Sequence, residues 1–177
     1  MKESNGKVVF AFRWKYVALP LALLLVAVIL TFSFYSRLPF PTAWHFDSSS
    51  GAPDMWAIPG LFVFWALAVQ SALALGAVCI TWMMSRLASR FLLAESAVIS
   101  PQRILLITGN MVGLPQIILV FAMLDIFLYN SYQTHLFVPV WVVGIAVMLI
   151  GGVILGGFFV QAMRQVMAAN RKVSAKQ

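Results

Sequence analysis

Four long apolar stretches dominate this chain and restrict the folds open to it. They run over about residues 16–34, 58–83, 104–129 and 138–160. Each is close to or longer than the ~20 residues that an α-helix needs to cross the ~30 Å hydrocarbon core of a bilayer. None alternates polar and apolar residues with a period of two, as the strands of a transmembrane β-barrel do. The sequence therefore predicts an all-α integral membrane protein, a bundle of four transmembrane helices.

The amino-acid composition also favours a membrane over an aqueous environment. Apolar residues make up 62% of the 177 residues and charged residues only 10%, whereas soluble domains carry about 25% charged residues. We place one membrane bundle at 16–163, between a basic N-terminal segment, 1–15, and a basic tail, 164–177. The first apolar stretch exceeds the ~7–15 apolar residues of a cleaved signal peptide, and no A-x-A site follows it, so we expect an uncleaved span.

The basic residues predict the side of the membrane on which each segment lies. Eleven of the twelve Lys and Arg residues fall in the two tails and the second loop, and the first loop holds only Arg37. Because Lys and Arg are enriched in cytoplasmic loops, both termini are expected in the cytoplasm (N-in/C-in). The basic residues sit at the ends of apolar runs rather than on one continuous face. This placement argues against nucleic-acid binding, despite the net charge of +7.

Small residues and one acid stand out within the spans. Gly109 and Gly113 in the third span, and Gly152 and Gly156 in the fourth, have the GxxxG spacing that lets helix backbones approach closely. These pairs predict either packing of the third span on the fourth or a seam for another copy or another subunit. Asp125 is the only acid well inside an apolar run. Such an acid is either a functional residue or, near the outer end of its helix, one that reaches interfacial water.

The loop between the first two spans, residues 35–57, carries the most distinctive pattern of the chain. It contains the run LPFPTAWHFDSSSGAPDMW. Asp47 and the serines before Gly51 suit an Asx turn with one residue at positive φ. Pro53 restricts the backbone just before Asp54. We therefore expect this loop to be ordered rather than a flexible tether.

This loop resembles the signature of a known family. The residues that carry the resemblance are, in order, Leu38-Pro39, His45-Phe46-Asp47, Gly51, Pro53-Asp54 and Trp56. They look like the signature of a domain of unknown function in SdpI-type bacterial membrane proteins, where it lies in an external loop after a transmembrane helix. The resemblance covers about residues 20–75 and implies the cytoplasmic membrane of a prokaryote. The best-known members confer immunity to a secreted toxin peptide and signal by holding a repressor at the membrane, so binding rather than catalysis is implied.

The predicted outer face gathers the candidate residues for binding a partner. They are His45, Asp47, Gly51, Asp54, Trp56, Asp125 and His135. Three roles stay open for the histidines and carboxylates: turn capping with solvent contact, binding of a peptide or protein, or coordination of a divalent metal such as zinc. No HExxH, GxSxG, P-loop or dinucleotide motif is present, which predicts a non-enzymatic protein without a cofactor.

Three functional hypotheses follow for a chain surrounded by the lipid bilayer. The first is a small protein of the immunity or signalling type that binds a peptide or protein partner at its external face. The second is an accessory subunit of a larger membrane complex, with a homo-oligomer as a further form of assembly. The third is a small transporter, which rests only on polar residues inside the spans: Gln70, Asn110, Gln116 and Asp125.

Overall fold

The structure is a computed structural model and describes residues 11–47, 50–91 and 101–174. Within these ranges the chain is mostly helical (79%). The helices are α1 (Ala18–Phe34), α2 (Pro59–Phe91), α3 (Pro101–Met111), α4 (Gly113–Tyr132) and α5 (Val140–Ser174). Two strands, β1 (Thr42–Phe46) and β2 (Pro53–Ala57), lie between α1 and α2, and single 3-10 turns flank α1 at Trp14–Val17 and Tyr35–Arg37. Residues 1–10 of the predicted N-terminal segment and 175–177 of the predicted tail lie outside the described residues.

Four helical stretches of the described chain are long and apolar enough to cross a membrane, which confirms the predicted number of spans. They run over Trp14–Arg37, Pro59–Leu87, Gln102–Tyr132 and Val140–Gln165. The second and fourth helices continue past their apolar runs into the basic segments. Arg, Lys, Gln, Met and Ala, which are common in these segments, have high helix propensity, so the helix does not end where the apolar run ends.

The third span is a kinked helix made of α3 and α4. The two pieces meet at Val112, which keeps helical backbone angles (φ −62°, ψ −22°). Pro115 follows closely, and a proline ring clashes with the carbonyl four residues earlier, here that of Met111. We attribute the kink to this proline. Pro20, also inside a predicted span, lies in the first turn of α1, where the missing N–H costs no helical hydrogen bond.

The third span is the centre of the bundle. Helix α4 packs on α1, α2 and α5, and α3 packs on α2 and on the 3-10 turn before α1. A buried apolar cluster of Ala27, Val63, Met123 and Phe127 joins α1, α2 and α4. The Phe127 ring is fully buried and stacks on Phe34 with ring centroids 5.6 Å apart. The first three spans therefore share one core, whereas α5 lies against α4 on its outside.

Amide side chains connect the third span to its neighbours. Asn110 accepts a hydrogen bond from the backbone N–H of Leu19, in the first turn of α1, at 2.9 Å, and donates one to the carbonyl of Lys15 at 3.2 Å. Gln116 and Gln70 of α2 are fully buried, and the amide of each donates to the backbone carbonyl of the other, at 3.0 and 3.3 Å. These hydrogen bonds connect the third span to its neighbours, while the Oε1 atoms of Gln70 and Gln116 have no hydrogen-bond partner among the described residues.

The glycine pair of the third span packs on the start of the first span. A Cβ atom at Gly109 would lie 2.1 Å from the backbone oxygen of Tyr16, and one at Gly113 would lie 2.7 Å from the Leu19 side chain. Both glycines are buried. The close approach therefore brings together the third and first spans, rather than the third and fourth.

The glycine pair of the fourth span packs against no other described helix. A Cβ atom at Gly152 or Gly156 would meet nothing within 4 Å among the described residues. Contact between α5 and α4 is made instead at Gly151, where an added Cβ would lie 2.7 Å from the Leu114 side chain. Gly152 and Gly156 thus form an open small-residue face on α5.

We expect Gly109→Ala to destabilise the bundle. The new methyl group would collide with a backbone carbonyl rather than with a flexible side chain, so the start of α1 must shift. Overpacking of this kind costs about 1–3 kcal/mol. Thermal unfolding in detergent, followed by far-UV circular dichroism, measures the effect. Gly152→Ala is the matched control: it adds the same methyl group to open space and should leave stability unchanged or slightly higher. Equal stability of the two variants would contradict the close packing at Gly109.

Candidate binding site at the hairpin

The loop between the first two spans folds into a β-hairpin, which the all-α prediction does not include. β1 and β2 are antiparallel, with Ala43 opposite Trp56 and His45 opposite Met55. The pairing is irregular on both sides of His45, as at a β-bulge, which re-aims side chains. Thr, Trp and Phe in these segments favour strands. Of the signature residues, His45 and Phe46 therefore lie on β1, and Pro53, Asp54 and Trp56 lie on β2.

Asp47 and Gly51 close the turn of the hairpin. The Asp47 N–H donates to the carbonyl of Ala52 at 2.9 Å, and the Gly51 N–H donates to the carbonyl of Asp47 at 2.8 Å. The Ser50 hydroxyl donates to the Asp47 carboxylate at 2.9 Å. Gly51 has φ +67°, a left-handed value that glycine adopts without steric cost. The positive φ expected in this turn thus lies at Gly51, and Asp47 holds the turn in shape.

His45 and Asp54 form a pair across the two strands. Nδ1 of His45 lies 2.7 Å from Oδ1 of Asp54, and the two side chains are 51% and 44% exposed. A carboxylate only accepts hydrogen bonds, so the imidazole carries a hydrogen on Nδ1 in this contact. Met55 and Trp56 next to Asp54 are also about half exposed. This part of the hairpin therefore offers both polar and apolar groups to a partner.

His135, in the segment after α4, connects the hairpin turn to the third span. Its Nδ1 lies 3.1 Å from Oδ2 of Asp125, and its Nε2 lies 3.2 Å from the carbonyl oxygen of Gly51. Its ring stacks on Tyr129 and meets Phe46 edge-on, with centroids 4.7 and 4.8 Å away. Both ring nitrogens therefore face acceptor oxygens. His135 is thus a bridge between the two parts of the site.

Asp125 holds the segment that follows α4. Its Oδ1 accepts a hydrogen bond from the backbone N–H of Leu136 at 2.8 Å, while Oδ2 faces His135. The carboxylate is only 15% exposed. Both oxygens of this acid therefore have protein partners, and its role at the hairpin end of α4 includes positioning of the neighbouring segment.

Asn130 of α4 fixes strand β1 to the third span. Its Oδ1 accepts from the N–H of Ala43 at 2.9 Å, and its Nδ2 donates to the carbonyl of the same residue at 2.7 Å. Nδ2 also donates to the carbonyl of Ile126 at 2.9 Å. The buried amide thus pairs with both backbone groups of one strand residue, as a neighbouring strand would. Asn130 is not among the predicted site residues, although a polar amide at the end of an apolar run is a signal for a contact between elements.

An apolar groove of about 510 Å³ lies beneath the hairpin, between α2 and α4. Trp44 and Ala57 of the hairpin form its upper end. The residues that form its walls include Phe62, Trp65, Leu119 and Met123. Since the groove continues from the hairpin into the membrane-spanning part of both helices, it suits an apolar group that approaches from the hairpin side.

The predicted site residues fall into two groups rather than one cluster. His45 and Asp54 pair on the exposed side of the hairpin, and Gly51, Asp125 and His135 meet at its turn. Among the described residues, no group of three or more His, Cys, Asp or Glu side chains is placed to hold a metal ion.

No family model, no curated protein and no solved structure matches this chain. The likeness of the hairpin sequence to the SdpI-type signature stays a prediction. The function of this chain is therefore inferred from the geometry of the site.

We expect Asn130→Leu to release the hairpin from α4. The change leaves both backbone groups of Ala43 without their partner, which costs about 1–3 kcal/mol for buried groups. Hydrogen exchange at the Ala43 amide, measured by mass spectrometry in detergent micelles, should become faster. Thr134→Val, an exposed change just after the same helix, is the control. Unchanged protection at Ala43 in the Leu variant would show that Asn130 does not hold the strand.

A double-mutant cycle tests the contact between His135 and Asp125. His135→Phe keeps an aromatic ring against Tyr129 but loses both polar contacts, and Asp125→Asn keeps an acceptor for Leu136 but loses the charge. Residues that interact directly show coupling of about 0.5 kcal/mol or more in such a cycle. The stability of the wild type, both single variants and the double variant gives the coupling energy. Strict additivity would contradict a functioning contact between the two side chains.

Proposed function

We propose that this chain is a non-enzymatic membrane protein that binds a peptide or protein partner at the hairpin. The observation that carries the proposal is the combination of an anchored hairpin with an exposed recognition surface. Asn130 and His135 fix the hairpin at two places, while His45 and Asp54 stay open to solvent. A surface fixed in advance loses little conformational entropy on binding, which favours affinity.

The proposal includes an orientation with both termini in the cytoplasm of a prokaryotic cell and the hairpin outside. At the opposite end of the bundle, where α1 begins and α5 ends, the described charged residues are basic, among them Arg13, Lys15, Arg86, Arg103 and Arg164. At the hairpin end, the described carboxylates are Asp47, Asp54 and Asp125, and the basic residue is Arg37. Arg37 donates a hydrogen bond to the Tyr132 hydroxyl. This charge distribution supports the orientation, because basic residues are retained on the cytoplasmic side.

The SdpI-type resemblance supports a role of the immunity or signalling type. The signature residues His45, Gly51 and Asp54 belong to the hairpin that contains the proposed site. The apolar groove beneath Trp44 adds a place for an apolar group of the partner. The half-exposed carboxylate of Asp54 on the hairpin favours a partner with positive charge. A binding role of this kind needs no cofactor.

The second candidate function is that of an accessory subunit of a larger membrane complex, or of a homo-oligomer. The open face of α5 at Gly152 and Gly156 supports it. Without a hydrophobic driving force between helices in lipid, close backbone packing at small residues is a main source of helix association. A partner seated on this face would make the hairpin a docking element rather than a receptor.

Gentle detergent extraction from native membranes through a C-terminal tag, followed by native mass analysis, tests the main proposal. We expect a stoichiometric partner that is reduced about fivefold or more in His45→Ala and Asp54→Ala, because central interface residues contribute more than about 1 kcal/mol. Ser33→Ala is the matched control, since its hydroxyl bonds only to its own helix, at the carbonyl of Ile29. Wild-type partner levels in both hairpin variants would remove the hairpin from the mechanism.

Gly152→Leu separates the two candidate functions in the same experiment. A leucine side chain on the open face of α5 blocks close approach of another helix. Loss of the partner in this variant, with retention in His45→Ala, would favour the accessory subunit. The reverse result supports binding at the hairpin.

A further inference from the structure

A second cleft lies at the opposite end of the bundle, between α3 and α5. Its volume is about 450 Å³. Helix α5 packs mainly on α4, and this leaves a gap against α3. The residues that line the gap are Arg103, Leu106 and Ile107 of α3 and Ile154, Phe158 and Gln161 of α5. The gap lies at the end that bears the chain termini.

The cleft is polar at one end and apolar along the rest. Arg103 is near the beginning of α3 and Gln161 is past the apolar run of α5, so both lie at the end of the bundle that meets water. The apolar lining residues lie deeper in the spans: Leu106, Ile107, Ile154 and Phe158. A phospholipid has its polar and apolar parts in the same arrangement, with a charged headgroup at the membrane surface and acyl chains deeper in the bilayer.

The positive charge of Arg103 in the cleft favours binding of an anion. Arg103 has no carboxylate partner among the described residues. Arg103 also lies in the first turn of α3, where the helix dipole disfavours a cation and favours an anion. A guanidinium matches a phosphate group through two parallel N–H donors. Basic pockets between spans on the cytoplasmic side bind anionic headgroups for this reason.

We propose that this cleft binds an anionic phospholipid. The headgroup phosphate contacts Arg103, with the Gln161 amide as a second donor, and one acyl chain lies along Leu106, Ile154 and Phe158. Arg164 lies one turn beyond Gln161 on the same side of α5, so it adds positive charge near the headgroup. This lipid site is separate from the hairpin, so the proposal of a lipid in the cleft does not depend on whether a partner binds at the hairpin.

Native mass spectrometry of the full chain in detergent, with phosphatidylglycerol or phosphatidylcholine of the same acyl chains, tests the site. We expect phosphatidylglycerol to be retained in preference to phosphatidylcholine. Arg103→Gln should weaken phosphatidylglycerol binding about fivefold, since a basic residue near an anionic surface contributes about 1 kcal/mol. Arg13→Gln removes the same charge at the same end of the bundle but outside the cleft, and should have a smaller effect. Equal losses in the two variants, or equal retention of the two lipids by the wild type, would overturn the proposal.

A second variant tests the acyl-chain part of the cleft without changing charge. Ile154→Trp fills the apolar end, where the lipid-facing position tolerates a large apolar residue. We expect it to reduce retention of phosphatidylglycerol, while excess inorganic phosphate leaves retention in the wild type unchanged. Displacement of the lipid by phosphate alone, or full retention in Ile154→Trp, would contradict a site built for a lipid. Unfolding temperature and helix content confirm that each variant is folded.

Discussion

A backbone group buried inside the protein or inside a bilayer has no water to bond with, and this constraint organises the contacts of the third span. Within the helices the backbone satisfies itself, but the start of α1 and strand β1 need other partners. Asn110 supplies one to Leu19 near one end of the third span, and Asn130 supplies two to Ala43 near the other end. The kinked third span is therefore the frame to which the first span and the hairpin are fixed.

The candidate site depends on this frame more than on its own strands. A two-stranded hairpin is marginally stable by itself. Here its strand is held by Asn130 and its turn by His135, and both residues come from the third span or the segment just after it. The candidate site is thus shared between two distant parts of the sequence. Any movement of α4 beyond the kink at Pro115 would carry the hairpin with it.

The sequence predicts the spans well because hydropathy sums a large transfer energy over about 20 residues. It also singles out His45 and Asp54, which the structure brings together across the hairpin. It does not predict the strands, since each has five residues and no clear alternation. The contact of His135 with Gly51 joins residues 84 apart in the chain. Such a contact follows from how the spans pack, and a single sequence carries no direct signal for it.

The fourth span lacks the polar connections that fix the other three. From Val140 to Val160 it contains no amide, hydroxyl or charged side chain, so van der Waals packing at Gly144 and Gly151 holds it to α4. The remaining surface of α5 is left to lipid or to another protein. At about 100° per residue, the cleft residues Ile154, Phe158 and Gln161 lie on roughly the opposite side of the helix from Gly152 and Gly156. A lipid in the cleft and a helix on the glycine face therefore occupy different surfaces, and neither excludes the other.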